Sequence, residues 1–250
     1  MPVAEPATAA ESNPSTPEAV RAVRPRLLAG VAAMAASAVP VVVLAVLVRD
    51  AAHPVAAFDQ RVDVRLTTFT LGNETVRMLA QAGAAVLHPW VFRSAVLVTA
   101  VLLYRRRARA AALWAAGTMA VGSLLGVGLK LVVQRARPVL DEPVAAEPGF
   151  SFPSGHALNA ALGVTVLLLL MWRPLSRTGH RVLAVVVGGL IVVATAFDRL
   201  LLGVHFPTDV IAGVLLGGLF AVSSWVAFGP VLRERARHEA DRAAPDGRAT

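Results

Sequence analysis

Residues 149–156 read Gly-Phe-Ser-Phe-Pro-Ser-Gly-His and lead directly into a long apolar run. Pro153 suits the first turn of a helix, because its φ angle is preset and it has no N–H to leave unpaired. Ser154 and Gly155 then present free backbone N–H groups at the positive end of the helix dipole, an arrangement that binds anions, most often phosphate. His156 adds a side chain that titrates near neutral pH. Taken alone, the stretch fits an ordinary helix cap and a chance histidine better than an anion site.

The composition is that of a membrane protein. Of the 250 residues, 56% are hydrophobic and 16% are charged, whereas soluble domains average about 45–50% and about 25%. The absence of cysteine excludes disulfides, thiolate chemistry and cysteine-based zinc sites. The net charge of +8 comes almost wholly from arginines that stand beside the apolar runs. This placement indicates membrane orientation and argues against a nucleic-acid partner.

Six apolar segments have about the length that a membrane span requires. A hydrocarbon core of about 30 Å takes about 20 helical residues. Pro89 is expected to start or kink the second span, which ends at Tyr104, and Arg93 is expected near its outer end. The other predicted spans are residues 27–48, 110–133, 157–172, 182–197 and 208–229.

Two further patterns concern the packing of these helices. Glycine pairs of the small-xxx-small type predict close helix contacts in the third span (Gly122 and Gly126) and in the sixth (Gly213 and Gly217). Before the second span, apolar residues recur at helical spacing among charged ones, as in an amphipathic surface helix. These apolar residues are Phe58, Val62, Leu66 and Phe69.

We therefore predict an all-α membrane domain of six transmembrane helices over residues 27–230. A disordered tail (1–26) is expected before it and a basic cytoplasmic tail (231–250) after it. Most of the 24 lysine and arginine residues flank the predicted spans on one side, which makes that side cytoplasmic by the positive-inside rule. Both termini then lie in the cytoplasm, and loops 134–155 and 198–207 face the other side of the cell membrane.

Lys130 and Arg137 are charges that a simple membrane span does not need. Lys130 lies near the end of the third span, and Arg137 follows two helical turns later. The two side chains share one face with Gln134 if the helix continues. A charge inside a span normally points into the bundle or into a wet cavity, although a snorkelling lysine and a plain interfacial arginine remain the simpler alternatives.

The fifth span ends at Asp198-Arg199, and His205 and Asp209 follow four residues apart at the start of the sixth. A carboxylate at that separation can hydrogen-bond to the histidine and fix its tautomer, as for a nucleophile or a base. A histidine bonded to a loop carbonyl, with an aspartate that stabilises the helix dipole, is the simpler alternative. Because the loops of these motifs lie on one side, we expect cations, histidines and a helix N-terminus to meet there, which suits a phosphoryl group.

These residues resemble the three-part signature of the type 2 phosphatidic acid phosphatases, which also marks the vanadium haloperoxidases and class A bacterial acid phosphatases. The order and spacings agree, and six spans with the motifs on one side resemble the integral-membrane lipid phosphatases. The matching letters are Lys130-x6-Arg137-Pro138, Pro153-Ser154-Gly155-His156 and Arg199-x5-His205-x3-Asp209. The third motif usually opens Ser-Arg, whereas here Asp198 precedes Arg199. That aspartate could pair with the arginine and weaken its grip on phosphate, or alter the pH dependence.

The resemblance implies a lipid phosphate phosphatase. His205 would attack phosphorus and form a phosphohistidine, and Asp209 would hold its other ring nitrogen. His156 would protonate the departing oxygen and then activate water. The phosphoryl oxygens would be bound by Lys130, Arg137, Arg199, Ser154 and Gly155. No metal and no other cofactor is implied, because the cations already supply the positive charge.

Several alternatives stay open at this point. The substrate could be phosphatidic acid, phosphatidylglycerol phosphate or a polyprenyl pyrophosphate. A transporter or scramblase would need the basic pocket but not the histidines, and release of inorganic phosphate separates the two classes. Metal binding by His156, His205 and Asp209 is a third alternative, which insensitivity to a chelator would dismiss. His88 and the histidines outside the motifs are assigned no role.

Overall fold

The computed structural model describes residues 17–50, 53–139 and 144–243. Within these ranges the chain forms helices joined by irregular segments, with no strand, which confirms the all-α class. The helices are α1 (Pro17–Arg49), α2 (His53–Leu71), α3 (Glu74–Val86), α4 (Pro89–Arg105), α5 (Arg109–Val133), α6 (Gly155–Met171), α7 (Thr178–Leu201) and α8 (Pro207–Ala243).

Five stretches of the described chain are long and apolar enough to cross a membrane. They are Leu28–Arg49, Glu74–Arg105, Arg109–Val133, Thr178–Leu201 and Pro207–Gly229. The remaining predicted span corresponds to α6, which is apolar but has only 17 residues, or about 25 Å at 1.5 Å per residue. This shorter helix packs against α4, α5, α7 and α8, so its apolar side chains are covered by protein.

Several predicted boundaries change. α1 begins at Pro17, so the prediction of a disordered tail was wrong for residues 17–26, which are helical; residues 1–16 lie outside the described chain. α8 continues to Ala243, so residues 231–243 of the predicted tail are helical, and residues 244–250 again lie outside the described chain. Pro89 starts α4 and does not kink it, because His88 caps that helix by accepting a hydrogen bond from the Trp90 N–H (3.3 Å).

The predicted amphipathic helix is α2, but its acidic side chains face inward. Asp59 and Asp63 are 1% and 4% exposed, whereas Phe58 and Phe69 are 44% and 55% exposed. Burial, and then the neighbouring charge of Asp59, raise the pKa of Asp63 to about 6. The inward orientation has a physical reason, because the Arg135 guanidinium lies on the inner side of α2 and pairs with Asp59.

The predicted glycine contacts are confirmed and bring α6 against α8. A Cβ on Gly217 would lie 2.3 Å from the Leu158 carbonyl oxygen, and one on Gly213 would lie 2.6 Å from the Ser154 carbonyl oxygen. Both obstacles are backbone atoms of α6, so the two helices cannot keep this separation with a larger residue. On the other side of α6, leucine side chains fill the space left by Gly122 and Gly126.

We predict that Gly217→Ala destabilises the protein by about 1–3 kcal/mol, the usual cost of overpacking, because its methyl group would collide with the α6 backbone. Gly218→Ala is the matched control, since no atom lies within 4 Å of a Cβ there and alanine favours the helix. Thermal unfolding in detergent should show a lower Tm for the first variant and an unchanged or higher Tm for the second. Equal effects would contradict close packing at Gly217.

Candidate functional site

The C-terminal ends of α5 and α7 and the N-terminal ends of α6 and α8 lie at one end of the bundle. The Ser154 N–H donates to the Asp209 carbonyl oxygen (2.9 Å) and so joins the starts of α6 and α8. The prediction that this N–H is free for an anion was therefore wrong. Pro153 lies before the cap residue Ser154, outside the first turn, and Gly155 is the first helical residue. The buried Ser154 hydroxyl has no hydrogen-bond partner within the described ranges.

Arg137 reaches the site along a different path from the predicted one. α5 ends at Val133, and Gln134 adopts a left-handed conformation with φ 52°. The helix does not continue, so Gln134 and Arg137 do not share the helical face of Lys130. The chain folds back instead, and the Ser151 hydroxyl secures it by donating to the Ala136 carbonyl oxygen (2.9 Å).

Arg137 and Lys130 nevertheless converge beside His205. Arg137 Nη1 lies 3.2 Å from His205 Nε2 and donates to the Val204 carbonyl oxygen (2.7 Å). Lys130 Nζ donates to the Phe150 carbonyl oxygen (2.5 Å). Lys130 and Arg137 thus bind backbone carbonyl groups that line the pocket. Nη1 of Arg137 also faces the His205 ring.

Arg199 lies next to His156. Its Nη1 is 3.2 Å from His156 Nε2, and its Nε donates to Asp198 Oδ2 (3.0 Å). Nη2 also contacts that oxygen, so the anticipated Asp198–Arg199 pair is observed. Only Nη1 is left to face the pocket, and the guanidinium is almost fully buried.

α4 contributes two residues that the sequence did not assign to the site. The His88 ring lies edge-on to the His156 ring, with centroids 5.4 Å apart. Arg93 Nε donates to Asn159 Oδ1 (2.9 Å), and Asn159 Nδ2 donates to the Gly155 carbonyl oxygen (2.7 Å). These contacts brace the first turn of α6 from the side opposite α8.

The predicted hydrogen bond between His205 and Asp209 is not formed. His205 Nδ1 lies 3.6 Å from Asp209 Oδ2, which already accepts the Phe206 N–H (2.9 Å), while Oδ1 accepts Arg135 Nη1 (2.6 Å). These bonds hold the carboxylate just behind the ring. Burial lowers the pKa of His205, and the Asp209 charge opposes that shift.

Arg135 and Asp59 form a support that spacing alone did not reveal. Arg135 Nη2 donates to Asp59 Oδ2 (2.7 Å), and Thr208 donates to the same carboxylate from its N–H (3.1 Å) and its hydroxyl (2.5 Å). One guanidinium therefore bridges the buried carboxylates of Asp59 and Asp209. Arg135 lies between Lys130 and Arg137 in the first motif, so the sequence could have identified it as a third cation. No sequence pattern, however, indicates its contact with α2.

Glu147 occupies the centre of the pocket and was also missed. Four nitrogens surround its carboxylate: Arg199 Nη1 at 2.8 Å, Arg137 Nη1 at 3.3 Å, His156 Nδ1 at 3.6 Å and His205 Nε2 at 3.8 Å. Burial alone would raise the pKa of Glu147, but these neighbouring positive groups lower it below its usual value. The site therefore holds an anion with side chains of the predicted motifs.

The arrangement places two imidazoles around one anion, so that one can receive a transferred group while the other carries a proton. His205 and His156 contact different oxygens of the Glu147 carboxylate, and each has an arginine beside it. Within the described ranges, no group of three or more histidine, aspartate or glutamate side chains is placed to hold a metal ion. Histidines and arginines so placed favour a phosphoryl group as the ligand.

Comparison with known proteins finds similarity to one family. The profile of the PAP2 superfamily matches residues 111–232. Phosphatidylglycerophosphatase B of Bacillus subtilis is 39% identical over 95 residues, 38% of this chain and 46% of the relative. Undecaprenyl-diphosphatase of Sulfolobus acidocaldarius is 33% identical over 140 residues, 52% of this chain and 59% of the relative. The chain thus spans about half the length of these two relatives.

The match covers a larger share of the relative's length for two other proteins. Decaprenylphosphoryl-5-phosphoribose phosphatase of Mycobacterium tuberculosis is 37% identical over 147 residues, 56% of this chain and 72% of the relative. The crystal structure of a transmembrane PAP2 type phosphatidylglycerolphosphate phosphatase from Bacillus subtilis has a TM-score of 0.63 at 23% identity, over 80% of this chain and 96% of that one. The fold is therefore that of a multi-pass membrane protein.

We predict that Arg135→Ala destabilises the protein by about 3–5 kcal/mol, the usual cost of leaving a buried charge unpaired, because Asp59 and Asp209 would both lose their cation. Arg77→Ala is the matched control. Arg77 pairs with Glu74 on the surface, with side chains 40% and 64% exposed, and such pairs contribute less than about 1 kcal/mol. Thermal unfolding in detergent measures both variants, and a similar small loss in each would argue against the bridge.

Proposed function

We propose that this chain, which belongs to the PAP2 superfamily, is a membrane-embedded phosphatase that removes a terminal phosphate from a lipid through a phosphohistidine. One observation carries the proposal. Arg137 Nη1 lies 3.2 Å from His205 Nε2, and Arg199 Nη1 lies 3.2 Å from His156 Nε2 across the same pocket. A nucleophile and a proton carrier, each with its own arginine, are what phosphoryl transfer through an enzyme intermediate requires.

In the first step, His205 Nε2 attacks phosphorus. A P–N bond forms while the P–O bond to the lipid breaks, and the departing oxygen takes a proton from His156. Asp209 lies behind the His205 ring, 3.6 Å from Nδ1. As the ring gains positive charge, this contact is expected to shorten into a hydrogen bond that stabilises it.

In the second step, water releases the phosphate. His156, now neutral, takes a proton from a water molecule that attacks phosphorus, and the P–N bond breaks. Inorganic phosphate leaves, and His205 returns to its starting state. The two histidines contact different oxygens of the Glu147 carboxylate, which supports separate roles for them around one phosphoryl group.

The phosphoryl oxygens are assigned to Lys130, Arg137, Arg199 and the start of α6. At that helix start, the Gly155 N–H and the Ser154 hydroxyl are the proposed donors, because the Ser154 N–H is already bonded to Asp209. Since these cations stabilise the transition-state charge, no metal ion takes part in the proposal. The assay described below therefore contains EDTA, and activity that depended on added Mg²⁺ would contradict this point.

The substrate class is a lipid with a terminal phosphate of the phosphatidic acid type. The site lies at the end of apolar membrane helices, which favours a phosphate attached to an acyl or isoprenyl tail. A polyprenyl diphosphate or another polyprenyl-linked phosphate is the second candidate. It is favoured because two relatives, including the one with 72% of its length covered, are named for polyprenyl substrates.

A protein that only binds or moves anionic lipids is the competing class. Such a protein would use the cations but would have no need of an aspartate behind His205 or of His156 beside Arg199. Lipid-dependent release of inorganic phosphate separates the two classes, because a transporter leaves the ester bond intact.

We place the phosphatase domain at residues 27–230, as six spans with both termini in the cytoplasm and the site on the extracytoplasmic side of the cell membrane. Support comes from the arginines that follow α4 and α6, at the end of the bundle opposite the site. Cytoplasmic loops carry such an excess of basic residues. The tails before and after the domain then also lie in the cytoplasm.

The natural absence of cysteine makes this orientation directly testable. Ala146 lies at the site and Ser176 in the α6–α7 connector, and both are exposed. A maleimide that cannot cross membranes should label Ala146→Cys in intact cells, because that residue faces outward in the proposed orientation. It should label Ser176→Cys only after lysis. The reverse pattern would place the site in the cytoplasm.

We predict that His205→Ala abolishes phosphate release across a panel of lipid phosphates and diphosphates in detergent, because no nucleophile remains. His156→Ala should lower the rate by about 10²–10⁴-fold, as for loss of a general acid. His180→Ala is the matched control, because His180 is exposed on α7 away from the motifs, and it should keep full activity. Near-normal hydrolysis by folded His205→Ala protein would contradict the phosphohistidine mechanism.

A further inference from the structure

Glu147 binds to the site in the manner of a substrate anion. Its Oε1 lies 2.8 Å from Arg199 Nη1 and 3.6 Å from His156 Nδ1, and its Oε2 lies 3.3 Å from Arg137 Nη1 and 3.8 Å from His205 Nε2. Each oxygen therefore contacts one arginine and one histidine. The neighbouring positive groups lower the pKa of Glu147, so the side chain carries its negative charge at neutral pH.

The carboxylate and a reacting phosphoryl group cannot occupy the pocket together. In-line attack requires phosphorus about 3–3.5 Å from His205 Nε2, and Glu147 Oε2 already lies 3.8 Å from that nitrogen. The two anions would also repel each other in a site where the dielectric constant is low. Substrate binding must therefore move Glu147 away from the arginines.

The structure provides space for that movement. A cavity of about 260 Å³ lies beside Glu147, lined by Pro138, Ala145 and Gly203 among others. The Glu147 side chain is 24% exposed, whereas the side chains of Asp209 and Arg199 are 0% and 2% exposed. Among the charged groups of the pocket, Glu147 can thus exchange protein contacts for water with the least rearrangement.

We propose that Glu147 is an internal competitor that sets the affinity an anion must exceed to occupy the phosphate pocket. This inference rests on the proposed function, in that the pocket is taken to be a phosphoryl site. A competitor inside the protein raises the apparent Kd of every ligand by the same factor, the inverse of the fraction of open pockets. Anions that bind weakly then occupy only a small fraction of the pockets at the concentrations at which they occur.

The threshold has a clear consequence in a membrane. Ordinary phospholipids are phosphodiesters with one negative charge on phosphorus, and they surround the site at high concentration. A terminal phosphate carries up to two charges and three oxygens that can reach Lys130, Arg137 and Arg199 together, so it competes better with a carboxylate. Because both Kd values rise by the same factor, Glu147 leaves the preference between the two kinds of lipid unchanged. It lowers the occupancy of the pocket by the weakly bound phosphodiester, whereas the more tightly bound terminal phosphate can still fill the pocket.

The test measures anion binding directly, without turnover. Orthophosphate and a short-chain phosphatidylglycerol are titrated into detergent-solubilised protein, and each Kd is taken from the rise in Tm. We expect Glu147→Gln to lower the Kd of both ligands by the same factor, at least about tenfold if the carboxylate fills nine pockets in ten. Glu74→Gln is the matched control, because it removes the same charge from an exposed side chain, and both Kd values should stay unchanged.

An unchanged or higher Kd in Glu147→Gln would overturn the proposal. A clearly larger gain for orthophosphate than for the phosphodiester would also overturn it, since that pattern means that Glu147 stays in place and repels charge. Glu147→Ala replaces the glutamine variant if the latter does not fold. If the Kd values shift but no lipid is hydrolysed, the result would support Glu147 as a competitor and contradict the proposed phosphatase function. In an active enzyme, Glu147→Gln should lower KM.

Discussion

The contact between the first turns of α6 and α8 is the constraint on which the site depends. The Ser154 N–H donates to the Asp209 carbonyl oxygen, and Gly213 leaves room for the Ser154 carbonyl at a distance that a Cβ would not permit. His156 follows Ser154 in α6, and His205 precedes the first turn of α8. The separation of the two helix starts therefore sets the separation of the two imidazoles, and small residues keep it short.

Buried charges at this end of the bundle are tolerated because opposite charges alternate. Asp59, Arg135 and Asp209 form one series, and Arg199 and Glu147 belong to another. An unpaired charge in a membrane protein interior is costly, so each cation needs a carboxylate nearby. The first series is almost completely buried and acts as scaffold. Glu147 is the more exposed member of the second, so an external anion can replace it there.

Local patterns predicted the apolar spans and the motif residues that meet at one end of the bundle. Apolar runs and the positions of Pro89 and the paired glycines were sufficient for the order of the spans, since they reflect interactions within one helix or between neighbours, but they did not indicate α3 as a separate helix. The same patterns placed the end of α5 at residue 133, as observed, but nothing local indicated the left-handed turn at Gln134 that follows it. Asp59 and Glu147 were missed because their partners lie on segments distant in the chain.

Short motifs with characteristic spacing were enough to select the residues of the proposed site, which are His156, His205, Asp209 and their cations. The sequence by itself also determined the membrane character, which depends on composition alone. What fills the pocket and what supports it depend instead on how the helices pack. The carboxylate among the arginines comes from an irregular loop, and its position results from charges that meet after the helices have packed. Such contacts leave no periodicity in the chain.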